Sequence, residues 1–150
     1  MSDTSPAPLW RRLAAMMYDS FLVFAIWIIV GFVVMSAFGI DEARTSNGVL
    51  VELTPLHQYT LFATMLGSAF LFFGWFWTNS GQTLGMQAWR IKVQNADGSP
   101  ITWLQTLLRF VTAPFALLVV GLGYFCMLTE PQQRTLPDRV SRSQIIQLPH

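Results

Sequence analysis

Three stretches of this chain go unusually long without a charge. Phe21 to Phe38 is 18 uncharged residues, and its apolar run reaches back to Leu13 with Asp19 as the one interruption. Tyr59 to Thr78 and Phe110 to Thr129 are 20 uncharged residues each. A helix needs about 20 such residues to cross about 30 Å of hydrocarbon. The pattern therefore predicts helical segments over 11–38, 57–78 and 102–129, a loop over 79–101 and a polar tail over 130–150. Inside the loop the period changes. Trp89, Ile91 and Val93 alternate with Arg90, Lys92 and Gln94, which predicts a strand over 88–94 with one apolar face. Asn95-Ala96-Asp97-Gly98 follows as a turn, closed by Pro100. Thr102 and Gln105 have capping-box spacing. Leu104, Leu107, Leu108 and Val111 then fall at helical intervals, an amphipathic start to the third segment. Gln144 to Leu148 reads as a second short strand. It can pair with 88–94 only if tail and loop share one side of the membrane.

Composition removes the soluble alternatives. Of 150 residues, 53% are hydrophobic and 11% charged, against about 25% charged in an ordinary soluble domain. That is too little charge to cover a small soluble surface, and too much apolar content for disorder. The net charge of +1 leaves no nucleic-acid footprint. Cys126 is a lone cysteine, and with only His57 and His150 beside it no Cys/His zinc cluster forms. No metal or cofactor is expected. Neither histidine has a Ser or Cys nucleophile in its sequence context, so an enzyme is the weakest class. Gly81-Gln82-Thr83-Leu84-Gly85 lacks the Gly-Lys-Ser/Thr of a phosphate loop and reads as a tight turn at the membrane surface. The first window is too long for a signal peptide and carries Asp19, so it reads as an uncleaved helix.

Basic residues concentrate in cytoplasmic loops. Arg11 and Arg12 put the N-terminus inside. Arg44 against Asp41, Glu42 and Glu52 puts the first loop outside, and Arg90, Lys92 and Arg109 put the second inside. Trp10, Trp75, Trp77, Trp89 and Trp103 fall near that inner interface. The third segment has two readings. A plain crossing leaves five of the nine basic residues inside, whereas a segment bent or re-entrant at Pro114 and Gly121 puts eight there. Both stand on the sequence. Ala63, Gly67 and Gly74 form a small-residue stripe suited to helix packing.

Asp19 is the most informative residue. A carboxylate near a helix centre costs about 2.5–3.5 kcal/mol on insertion scales. One reading is an interface-level carboxylate in a fixed salt bridge; the other is a proton- or cation-binding site. Arg12 lies nearly two turns away on the same face, but its side chain leans toward the N-terminus, so that pair is stretched. Arg109 is the better-placed partner. In the tail, Arg134, Asp138 and Arg139 form a second polar knot. It is either solvated or docked through Asp138 onto Arg11 or Arg12.

These residues resemble the RDD family of small membrane proteins. Trp10-Arg11-Arg12-Leu13-Ala14-Ala15 followed by Asp19 is similar to its N-terminal signature. Gly81 to Met86, Ala88 to Val93, Asp97-Gly98-Ser99-Pro100 and Leu107-Leu108-Arg109 resemble its middle block. Arg134-Thr135-Leu136-Pro137-Asp138-Arg139 resembles its closing block. The arginine and two aspartates that name the family correspond to Arg12, Asp19 and Asp138. Gln82 stands where the family often has a basic residue, and Val140-Ser141-Arg142-Ser143 replaces the common Ala-Gly-Thr continuation. The resemblance implies a bacterial inner-membrane protein. Some members are proposed to act in transport, including sodium–proton antiport, and others as accessory or assembly components.

The expectation is a single all-α polytopic membrane domain over 1–150, with a small cytoplasmic β-turn element. It sits in the lipid bilayer as a homo-oligomer or with partner membrane proteins. The leading function is proton-coupled cation transport, with Asp19 as the binding carboxylate and Arg12, Arg109, Asp138 and Arg139 as its polar network. The alternative is a non-enzymatic membrane scaffold or assembly subunit.

Overall fold

The computed structural model describes residues 5–38, 54–118 and 135–149. In chain order these form α1 (Leu9–Ala37), α2 (Pro55–Asn79), α3 (Leu84–Ala88), β1 (Ile91–Asn95), α4 (Trp103–Leu118), α5 (Leu136–Val140) and β2 (Ser143–Gln147). Helices α1 and α2, at 29 and 25 residues, are long and apolar enough to cross a bilayer. The third expected span is described only as α4. Gly121 and the remainder of that window lie outside the described residues. Helix α4 runs through Pro114 without interruption. A proline removes one helical hydrogen bond, which a membrane helix tolerates.

Two compact units share the chain. Phe21–Leu71 is one. Within it α1 and α2 run antiparallel. The Trp27 indole donates to the Met65 carbonyl at 2.9 Å, and Phe38 meets His57 edge-on at 4.4 Å. Gly67 has no neighbour within 4 Å of where a Cβ would stand, so the small-residue stripe is not one continuous contact.

The other unit comprises Met1–Ser20 and Phe72–His150. Its centre is the ribbon of β1 and β2, antiparallel, with Ile91 opposite Gln147 and Asn95 opposite Ser143. The N-terminal segment extends the ribbon. Ala7 N–H donates to the Ile145 carbonyl at 3.0 Å and Gln147 N–H to the Ser5 carbonyl at 2.9 Å. Ile91 and Val93 turn inward onto Ala7, Ala15, Met86 and Ile101. The strand begins at 91 rather than 88 because Ala88 ends α3 and Arg90 takes a positive φ of 52°. The turn is as expected, with Gly98 at φ 84°. The capping box of α4 is present: Thr102 N–H donates to Gln105 Oε1 at 2.8 Å, and Gln105 N–H to Thr102 Oγ1 at 3.3 Å.

Amphipathicity in this unit runs inside out. On α4 the apolar face points outward, with Leu104 67% exposed, while Thr106 and Arg109 are buried. On α1, Arg12, Ala15 and Asp19 are buried, while Leu13, Met17 and Tyr18 are exposed. Water would reward the opposite arrangement. Hydrocarbon rewards this one, because lipid accepts apolar side chains and leaves polar ones to find partners within the protein.

Glycine lets two elements approach. A Cβ on Gly85 would stand 2.9 Å from Asp19 Oδ1 and closer still to the Ala15 carbonyl, so α3 can lie against α1 only without one. A Gly85→Ala chain should lose about 1–3 kcal/mol through overpacking, read as a fall in Tm on the order of 5 °C. An unchanged Tm would contradict that contact. The β1–β2 pairing also places loop and tail on one side of any bilayer the chain crosses. In a Cys126→Ser background, cysteines at exposed Ala96 and exposed Pro149 should label from the same side with an impermeant thiol reagent. Labelling from opposite sides would contradict the ribbon.

Candidate functional site

Asp138 organises the larger polar cluster. It is the third residue of α5, fully buried, and among the described residues three donors converge on it. Arg12 Nη1 donates to Oδ2 at 2.5 Å, Arg109 Nη1 to Oδ1 at 2.7 Å, and Thr135 N–H to Oδ2 at 3.1 Å. Arg12 reaches further, with Nε on the Ala7 carbonyl at 2.9 Å and Nη2 on the Ile145 carbonyl at 3.2 Å. Arg109 Nη1 also bonds the Ser143 hydroxyl, itself 2.7 Å from the Ser141 hydroxyl. One aspartate thus ties the start of α1, the middle of α4, α5 and β2 together. The docked reading of the tail holds, through Arg12. Arg11 instead donates to the Trp89 carbonyl at 3.2 Å and stacks on Trp10. Arg139 is exposed.

Asp19 has different company. Its Oδ2 accepts the Thr83 hydroxyl at 2.5 Å and its Oδ1 accepts Gly85 N–H at 2.9 Å. Thr83 caps α3, its oxygen accepting Met86 N–H at 3.2 Å. The expected Arg109–Asp19 pair is therefore corrected: Arg109 belongs to Asp138. The stretched Arg12–Asp19 pair is also absent, because Arg12 leans toward the N-terminus and meets Asp138 there. Neither described salt bridge involves Asp19.

Between these groups lies a half-open cavity of about 300 Å³. Asp19, Arg12 and Arg109 line it together with Phe73, Trp77 and Phe110. Arg109 sits over the Trp77 ring at 5.4 Å. The described residues contain no group of three or more His, Cys, Asp or Glu able to hold a metal ion. Sequence reasoning missed Thr83, Ser141 and Ser143. Thr83 carried a signal, a threonine three residues before Met86 in a glycine-bounded turn; the serines carried none.

Burial alone would raise the Asp138 pKa. The Arg109 and Arg12 guanidiniums outweigh it and hold the carboxyl below its ordinary 3.8. A depressed folded-state pKa contributes stability that is complete above the unfolded value and lost as pH falls through the folded one. Wild-type tail segments should therefore stay protease-protected down past pH 3.8 and loosen below. Asp138→Asn removes the charge that both arginines share. It should cost about 3–5 kcal/mol, loosen the tail at neutral pH and abolish the acid step. A variant with wild-type protection at all pH values would contradict this account.

No curated protein and no solved structure matches the chain. A family model does, over residues 6–142, a span that takes in both Arg12–Asp138 and Asp19 with its α3 cap. With its apolar helices turned outward and its family charges folded in, this chain is a membrane protein and belongs to the RDD family.

Proposed function

We propose that this protein is a proton-coupled cation transporter, or a subunit of one, with Asp19 as the carboxylate that binds the proton or cation. The observation that carries this reading is the character of Asp19's partners. It is buried, it lines the cavity, and its described hydrogen bonds come from a hydroxyl and a backbone N–H. Both buried guanidiniums are turned to Asp138. A proton or a small cation can therefore supply the neutralising charge. Intramembrane carboxylates of this kind mark ion pathways by default. Arg12, Arg109 and Asp138 shape the field in the same cavity, and Arg139 is a peripheral member of the network. The N-terminus, loop and tail face the cytoplasm of a bacterial inner membrane, a placement supported by the basic residues of these three segments and by the β1–β2 ribbon. So small a helical set encloses a pathway only as a homo-oligomer or with partner membrane proteins.

A second reading has its own support. Arg12, Asp19 and Asp138 each hold two or more elements together, as the charges of a non-enzymatic scaffold or assembly subunit would. Proton flux separates the two. Proteoliposomes with a trapped pH dye, pulsed with sodium, potassium or lithium, should show cation-dependent flux for wild type. Asp19→Asn at equal protein density should lose it while remaining folded, as its size-exclusion profile and a cooperative melt would show. Folded, reconstituted wild type without flux would overturn transport and leave the scaffold.

A further inference from the structure

The ribbon joins two copies of one local pattern. Thr83 N-caps the five-residue helix α3, Trp89 C-caps it, Arg90 follows, and β1 runs for five residues. Thr135 N-caps the five-residue helix α5, Ser141 C-caps it, Arg142 follows, and β2 runs for five residues. Arg90 and Arg142 hold φ 52° and 53°, and among the described non-glycine residues these two alone are left-handed. Glycine is the ordinary occupant just past a helix C-cap, because a Cβ is strained there. Both arginines are exposed, so core packing does not offset that strain.

Antiparallel pairing sets the two copies head to tail. Arg90 stands beyond the Ile91–Gln147 pair and Arg142 beyond the Asn95–Ser143 pair, at opposite ends of the ribbon. At about 3.4 Å per residue, their backbones lie about 20 Å apart. Each has a second arginine beside it. Arg11 donates to the Trp89 carbonyl, in the peptide bond that leads into Arg90, and its guanidinium stacks on Trp10. Arg142 N–H donates to the Arg139 carbonyl at 3.2 Å. Among the described residues of this unit, Asp97 is the one acid that is not buried. Ser99 occupies its carboxylate through N–H at 3.0 Å and hydroxyl at 2.6 Å. Tryptophan marks the level of this end. Trp10 is the second residue of α1, Trp103 the first of α4, and Trp75 lies one turn before the end of α2; all three are exposed. Exposed indoles gather at the headgroup layer. Basic residues held there are attracted to anionic lipid.

We propose that the two ends of the ribbon bind anionic phospholipid headgroups, one at Arg90 with Arg11 and one at Arg142 with Arg139. The guanidiniums meet the lipid phosphate. A zwitterionic headgroup brings its own cation to the same place, which the guanidiniums repel. The inference goes beyond the transport reading, because it involves neither flux nor Asp19.

The test uses the full chain in bilayers and reads quenching of its tryptophans by brominated phosphatidylglycerol against brominated phosphatidylcholine. Wild type should favour phosphatidylglycerol, and high salt should weaken the preference by screening. Arg90→Gly and Arg142→Gly suit the left-handed backbone, so both should fold, as a cooperative melt would show. Each should lower the preference about fivefold, the worth of one basic residue at an anionic surface. The double variant should lose it. Arg142→Lys keeps the charge and should keep most of the preference. No preference in wild type, or an undiminished one in the folded double glycine variant, overturns the proposal. A preference abolished by inorganic phosphate at matched ionic strength assigns the arginines to a soluble anion and also overturns it. The wild-type lipid comparison needs no variant, so misfolding of a mutant leaves the proposal testable. A failure here leaves the flux result standing, and the reverse is equally true.

Discussion

The buried carboxylate of Asp138, held between Arg12 and Arg109, is the constraint on which the larger unit depends. Moving one ion from water into a poorly polarisable interior costs several kcal/mol, and three must be moved here. The cost is offset only if geometry is good and the remaining donors find acceptors. The chain meets that condition for Arg12 by spending backbone carbonyls of Ala7 and Ile145 on it. Those carbonyls come from the N-terminal segment that extends the ribbon and from β2 itself. The β1–β2 pairing, the bridging N-terminal segment and the short helix α5 thus follow from the need to surround two guanidiniums.

Asp19 and the α3 turn solve a smaller version of the same problem. A five-residue helix has almost no stability of its own. Here its first donors, Thr83 and Gly85, are given to a carboxylate on α1, and Ile91 binds it from the far side through Gln82 at 2.8 Å. Gly81, at φ 72°, makes the turn in which Val93 N–H reaches the Gly81 carbonyl at 2.8 Å. The turn therefore joins the outer end of the aspartate site to the strand that also lines the core. The two polar clusters, though separately bonded, share the walls of one cavity.

Much of this was legible in the sequence because it rests on local period. Helices α1 and α2, the turn at Gly98, the capping box of α4 and the second strand all announce themselves within a few residues. The partner of Arg109 was not legible, since nothing local distinguishes Asp19 from Asp138 as its acceptor. The choice is made by α5, which delivers Asp138 from 29 residues further along. The strand start at Ile91 was missed because a non-glycine residue, Arg90, takes the left-handed conformation that alternation alone cannot reveal. The face of α4 was read correctly as an apolar stripe. Its direction depends on the solvent, and in a bilayer the stripe turns outward.

The Arg12–Asp138 contact spans 126 residues of chain. Ribosomes add about 5–20 residues per second, so Arg12 emerges roughly 6–25 s before its counter-ion exists. During that interval α1 and α2 can already be inserted, with the guanidinium held at the lipid phosphates where its N-terminal lean directs it. Helix α5 must then arrive with Asp138 to draw it inward. The Arg12–Asp138 cluster is therefore completed only when a charge leaves the headgroup layer, and a nascent chain interrupted before α5 carries that arginine as an unburied anchor.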